Sequence, residues 1–212
     1  MIRFPVVLAV MVALGFAALA PWGASAATAG EPAGTVLALS GPCAVESGGV
    51  HRTLALNDAV RVGDTVMVPA GAKLKLRMTD GSVVSAAAGT TLTIDAYTVD
   101  PGDHHRDARL SLTQGLVRAV VSSVTAPSRF EIDTATAVAA VRSTDWFLER
   151  RPALTRVGVL DGVVDLTAHG SGKSVAVPKR YGARVDAAGD PTEPLPWSAR
   201  EFDEYIQATT LP

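Results

Sequence analysis

From Gly34 onward the apolar positions recur with a period of two, not 3.6, the pattern of strands whose successive side chains point to opposite faces. Lys73-Leu74-Lys75-Leu76-Arg77-Met78 alternates strictly, with a basic face and an aliphatic face. Arg109-Leu110-Ser111-Leu112 alternates in the same way with smaller polar partners. Between such runs stand turn signals: Asp80-Gly81, Gln114-Gly115, Asp161-Gly162 and Gly170-Ser171-Gly172. Each supplies a glycine where positive φ costs little, and the spacing predicts hairpin turns joining short strands. Four strand–turn–strand units look alike, with their glycines at 41, 81, 115 and 162. Their spacing is too irregular for a propeller and suits either a β-solenoid-like stack or a sandwich. The fold class read from this is all-β with short strands.

Two stretches depart from the alternation. Tyr97 to Asp107 reads as a polar loop between two β halves. At the C-terminal end, the Pro-rich arm Pro191–Pro196 precedes a segment in which Ser198 and Glu201 have the spacing of a capping box. Trp197, Phe202, Tyr205 and Ile206 then give a short C-terminal helix an apolar face, which docks on the β domain or on a partner.

The first residues have a different character. Arg3 is followed by Val6–Ala20, fifteen residues without a charge, and then by Ala24-Ser25-Ala26. This is the order of a signal peptide with its small-x-small cleavage site. An apolar run of fifteen residues is short for a bilayer span of about 20, so membrane attachment is expected only if the signal stays uncleaved. The domain plan is a signal peptide over 1–26, a linker over 27–33, a β domain over 34–187, and the arm and helix over 188–212. The expected location is the periplasm or the exterior.

Composition narrows the function. The 212 residues are 48% hydrophobic but only 5% aromatic, with a formal net charge of −2. That excludes a disordered chain. Near balance between 19 basic and 21 acidic residues argues against nucleic acid as a partner.

Several stretches, taken in order, resemble the FecR-type domain, named after the periplasmic part of iron-dicitrate regulator proteins. Gly34-Thr35-Val36 opens it, and Leu56–Val66 contains Gly63-Asp64 before a strand. Met78–Ser82 holds the Asp80-Gly81 turn, and Gly115-Leu116-Val117 resembles a strand entry. Phe130–Thr134, followed by Ala139–Phe147, is similar to the family's most recognisable stretch, with Ser143-Thr144 where the family usually has Gly-Thr. Val159–Val164 is similar to a closing hairpin containing Asp161-Gly162. The resemblance implies an exported β-rich module used for protein or envelope contacts. Regulators of this family carry a cytoplasmic anti-sigma region and a membrane span before the domain. Here the export segment stands in that place, so the resemblance does not bring the sigma-regulating role with it.

Candidate chemistry is sparse. The chain has no metalloprotease His pair, no Cys-x-x-Cys and no Gly-x-Ser-x-Gly elbow, and no cofactor is expected. His169–Ser174 ends in Gly-Lys-Ser, but Thr167 occupies the position of the first P-loop glycine and a strand pattern follows, so it reads as a hairpin turn. Asp100, Asp103, His104, His105 and Asp107 crowd one loop without EF-hand spacing, and a solvated loop is expected. Asp58, Asp64 and Asp80 offer carboxylates for hydrolysis, yet each lies beside a turn whose amides it can bind. Cys43, the single cysteine, reads as a small buried hydrophobe. The best surface feature is the basic ladder Lys73, Lys75 and Arg77, suited to an anionic polymer or an acidic protein partner, or to a charged face that resists aggregation. The leading expectation is a non-catalytic binding or scaffolding module of the cell envelope. A signalling component relaying to a separate membrane regulator and a carboxylate-dependent hydrolase stand behind it.

Overall fold

The structure, a computed structural model, describes residues 30–100, 105–123, 128–186 and 189–211. The expected signal peptide, residues 27–29 of the expected linker, and Asp103 and His104 lie outside the described residues.

In chain order the strands are β1 (Pro32–Ser40), β2 (Ala44–Ser47), β3 (Val50–Thr53), β4 (Ala59–Arg61), β5 (Thr65–Val68), β6 (Lys73–Met78), β7 (Val83–Ala86), β8 (Thr90–Val99) and β9 (Arg106–Val120). They continue with β10 (Arg129–Asp133), β11 (Ala137–Val141), β12 (Asp145–Arg151), β13 (Leu154–Asp161), β14 (Val163–Ala168), β15 (Ser174–Pro178), β16 (Tyr181–Asp186) and β17 (Leu195–Pro196). One helix, α1 (Ala199–Thr209), follows. The first strand begins at Pro32, inside the stretch expected as linker.

Hydrogen bonding sorts these strands into two sheets. The first, sheet A, runs β4-β1-β6-β7-β9-β12-β13-β16-β17. The second, sheet B, runs β3-β2-β5-β8-β9-β10-β11-β14-β15. Their inward side chains meet in one apolar core drawn from both sheets. That is the sandwich alternative of the sequence reading, with one departure from separate layers: β9 belongs to both sheets.

The sharing of β9 corrects the sequence reading at Gly115. In its first part Ala108, Leu110 and Leu112 are buried; in its last part Val117 and Ala119 are. Inward positions change from even to odd, which in a strand means the chain has gained one residue against its partner and turned over. Gly115, at φ +95, sits at that point, and a Cβ there would lie 2.5 Å from Thr90 Cα. Gly115 therefore bends a continuous strand and makes no hairpin.

Gly41 and Gly162 behave similarly. Each has positive φ and lies where the chain leaves a strand of sheet A for one of sheet B. Of the four look-alike units only Gly81 closes a hairpin within one sheet, between β6 and β7. The expected closing hairpin at Asp161-Gly162 is thus a corner between sheets, because a left-handed residue serves a sheet-changing bend as readily as a turn. The Gly-Lys-Ser stretch does close a hairpin, between β14 and β15.

The polar loop is also shorter than its composition suggested. Tyr97 is buried in β8 and Arg106 is buried in β9. What the expected loop hides is the polar centre of the fold. Arg106 Nη1 donates to Asp80 Oδ2 at 2.6 Å and to Ser122 O at 3.0 Å, and Nη2 donates to Arg142 O at 2.8 Å. Tyr97 Oη donates to Asp80 Oδ1 at 2.7 Å and Ser82 Oγ donates to Oδ2 at 2.6 Å. Both charged side chains are essentially inaccessible, at 0% and 1% exposure. Buried charges persist only when paired and hydrogen-bonded in this way. The cluster ties the β6–β7 turn to β8, β9 and the approach to β12.

Candidate binding face

The strand registers of sheet A place its outward side chains in rows. One row runs Lys75, Ser85, Arg118, Phe147, Gly158, Gly182 and Leu195 across β6, β7, β9, β12, β13, β16 and β17. Its neighbour on the core side runs Leu76, Val84, Ala119, Trp146 and Val159, all buried. Phe147 points away from that core, yet its exposure is 0% because α1 covers it.

The capping box at Ser198 and Glu201 forms as the sequence predicts: Ser198 Oγ accepts from Glu201 N, and Glu201 Oε2 accepts from Ser198 N at 2.8 Å. Trp197, just before the cap, lies flat over Gly158 and Gly182, which face each other across β13 and β16. A Cβ on either glycine would collide with the indole. Trp197 in turn packs against Phe202 and Tyr205, with ring centroids 5.3 and 5.1 Å away, and Tyr205 reaches Phe147 at 5.5 Å. Tyr205 Oη donates to Glu149 Oε2 at 2.6 Å. Burial, and then the Glu149 carboxylate, push the Tyr205 phenol up to about 12. The helix thus docks on its own chain.

Its far end explains one rung of the basic ladder. Lys73 Nζ donates to Gln207 O at 2.6 Å and to Thr210 O at 3.0 Å, so this cation caps the C-terminus of α1. An 11-residue helix is about 16 Å long, and four strand spacings span about 19 Å. That matches a crossing from β13 to β6. Lys75 and Arg77 stay on the outer face, and neither has a salt bridge or side-chain hydrogen bond among the described residues. The ladder is therefore two available cations and one structural one. Arg118 is also committed: it grips Asp145 through Nε at 2.8 Å and Nη2 at 2.7 Å, with its guanidinium over the Phe147 ring.

At the opposite end of the face stand two arginines that the sequence reading did not single out. Arg156 and Arg184 are directly paired across β13 and β16. Their outward facing was readable from Thr155-Arg156-Val157 and Ala183-Arg184-Val185, but their pairing was not. A cavity of about 280 Å³ opens beside them, lined also by Thr192, Leu195, Trp197 and Glu201.

The remaining candidates hold structure together. Asp58 Oδ2 accepts from Ala55 N at 2.9 Å and Arg52 Nη1 at 2.8 Å, and the Ala55 amide, foremost, and Arg52 hold its carboxyl below the usual range. Asp64 Oδ2 accepts from Arg61 N at 2.9 Å beside Gly63, whose φ is +89. Burial works to raise the Asp80 carboxyl, and the hydrogen bonds from Ser82, Arg106 and Tyr97 outweigh it, so that its pKa lies lower than usual. Thr144 Oγ1 donates to Val163 O at 3.2 Å, and Gly162 fits against Ser143 O and Thr144 where a Cβ would lie 2.8 Å from each. Ser143 needs no positive φ, so serine serves there. Asp161 makes an exposed 2.6 Å ion pair with Lys179. Cys43 is buried, and burial pushes its thiol up. Among the described residues no group of His, Cys, Asp and Glu is arranged to hold a metal ion. No described helix is long and apolar enough to cross a membrane.

Residues 64–165 match a family model described as FecR protein. Two crystal structures of a candidate anti-sigma factor from Parabacteroides distasonis share the fold, each with a TM-score of 0.55 and 18% identity. The match covers 68% of this chain and 64% of that one. Among curated proteins, none matches the chain.

Proposed function

Because the chain carries a FecR-type domain over residues 64–165, we propose that it works as an exported, non-catalytic binding module in envelope signalling. The family supports a regulatory role in the envelope. The observation that carries the binding reading is the outer face of sheet A. Lys75 and Arg77 at one end, and Arg156 and Arg184 at the other, have no carboxylate within ion-pair distance among the described residues. Unpaired cations on one rigid face attract an acidic partner and orient it. The carboxylates that a hydrolase would use are instead engaged in turns and in the buried cluster.

A photo-crosslinking amino acid at position 75 tests this in intact cells. Position 163, half exposed on the outer side of sheet B, is the control. The reading expects a discrete envelope-protein adduct from position 75 and none from position 163. Adducts from neither, or equally from both, would overturn it. Retention of the chain in the cytoplasm would overturn the export reading.

A further inference from the structure

Arg156 and Arg184 form a like-charge pair directly across two antiparallel strands. Such pairs are destabilising unless something neutralises them. Both alternate with Val157, Ala183 and Val185, which enter the core, so both guanidinium groups lie on the outer side of sheet A. The carboxylates close by are already engaged. Glu149, opposite Arg156, accepts from Arg151 Nε at 2.7 Å and from Tyr205 Oη at 2.6 Å. Glu201 Oε2 is held by the Ser198 amide and hydroxyl at 2.8 and 2.9 Å. Arg156 meets Tyr205 Oη at 3.4 Å and the Trp197 ring at 6.0 Å and acts on the Glu201 carboxylate only from beyond ion-pair distance, and among the described residues the Arg184 side chain makes no hydrogen bond or ion pair.

The pair opens onto the 280 Å³ cavity, where the Thr192 hydroxyl, the Trp197 indole and the Glu201 carboxylate, whose Oε2 is held by Ser198, are the further polar groups in the lining, leaving the two arginines in excess. Its rim is apolar at Leu195, which pairs with Gly182 on the same outer face and is 65% exposed. Arginine with an exposed leucine and the half-buried Trp197 is the composition of a protein-binding patch rather than of a solvated sheet face. The space suits one carboxylate-bearing side chain, and planar guanidinium groups match a carboxylate well.

We propose that the Arg156–Arg184 pair is a carboxylate-binding site for an acidic peptide segment of a partner protein, with an apolar residue beside the acid seated on Leu195. This deepens the binding-module reading and rests on it.

The test titrates the purified chain with an acetylated, amidated peptide of alternating leucine and glutamate, followed by indole fluorescence. Its glutamine counterpart and a polyuronate are run in parallel. Saturable binding of the glutamate peptide is expected, weakening with added salt and at least tenfold tighter than that of the glutamine peptide. Arg184→Gln and Arg156→Gln each lower the affinity at least tenfold, while Arg109→Gln, on the sheet-B part of β9, leaves it within twofold. A second readout needs no ligand: Arg184→Gln removes a repulsion and no contact, so the melting temperature of the free protein holds or rises. Equal binding of both peptides, unchanged binding by Arg184→Gln, or a melting temperature lowered by that substitution would each overturn the site. Binding of the polyuronate but not of the peptide would overturn the peptide assignment. If crosslinking from position 75 still captures its partner in the Arg184→Gln protein, this site falls and the binding-module reading stands.

Discussion

Asp80→Asn isolates the buried charge at the centre of the fold. In the wild-type protein Arg106 has 0% side-chain exposure, and among the described residues its only ion-pair partner is Asp80, at 2.6 Å. The substitution keeps the shape and removes the counter-charge, leaving a guanidinium in the core with only neutral acceptors, Ser122 O, Arg142 O and Ser128 Oγ. Breaking a buried pair from one side costs about 3–5 kcal/mol. At about 2–4 °C per kcal/mol for a chain of this size, the melting temperature should fall by roughly 6–20 °C. Urea denaturation of wild type, Asp80→Asn, Arg106→Met and the Asp80→Leu/Arg106→Met double variant measures this directly. The double variant should lose less than either single one, because no charge is stranded.

Acid titration adds a sign. The folded Asp80 carboxyl lies below its ordinary value of 3.8. Its contribution is therefore fully present above about pH 4 and is lost as pH falls through the depressed folded value. Asp80→Asn should flatten that part of the acid-stability curve. A loss under about 1 kcal/mol for Asp80→Asn, or a double variant as unstable as the single ones, would refute the reasoning.

Other outcomes follow from the same geometry. Gly182→Ala, whose Cβ collides with the Trp197 indole, should lift α1 from the sheet, seen as a red shift of indole emission and as proteolysis between β16 and α1; unchanged emission would contradict the docking. Gly115→Ala combines φ +95 with a 2.5 Å approach to Thr90 Cα, so a loss of more than about 2 kcal/mol is expected in chemical denaturation. Lys73→Met removes the cap on α1 and should cost about 0.5–1 kcal/mol, read from the melting temperature. Cys43, buried at 1% exposure with its thiol pushed up by burial, should react with a thiol reagent only at the rate of unfolding.

Much of the strand content was legible because period-two alternation reports directly on which side chains enter the core. Leu74, Leu76 and Met78 are buried as the alternation requires, and the change from even to odd positions around Gly115 was already written in Leu110, Leu112, Val117 and Ala119. The helix cap was equally local: Ser198 and Glu201 lie within one turn of each other, and the box forms. Glycine was the ambiguous sign. A positive φ at Gly41, Gly81, Gly115 or Gly162 says that the chain bends sharply, and nothing local says whether the next strand pairs with the last or joins the other sheet.

The alternating pattern by itself determined that this chain is built from strands and which residues face inward, because those choices depend on neighbours one or two positions away. What lies on the outer face was decided by tertiary structure alone. Lys73 became a helix cap through carbonyls more than 130 residues downstream. Arg106, read as part of a solvated loop, became the buried partner of Asp80. Arg156 and Arg184 became neighbours because β13 and β16 pair in one register. Cross-strand juxtaposition is set by the packing of the whole sandwich, and charge acquires its meaning there only once its partners are in place.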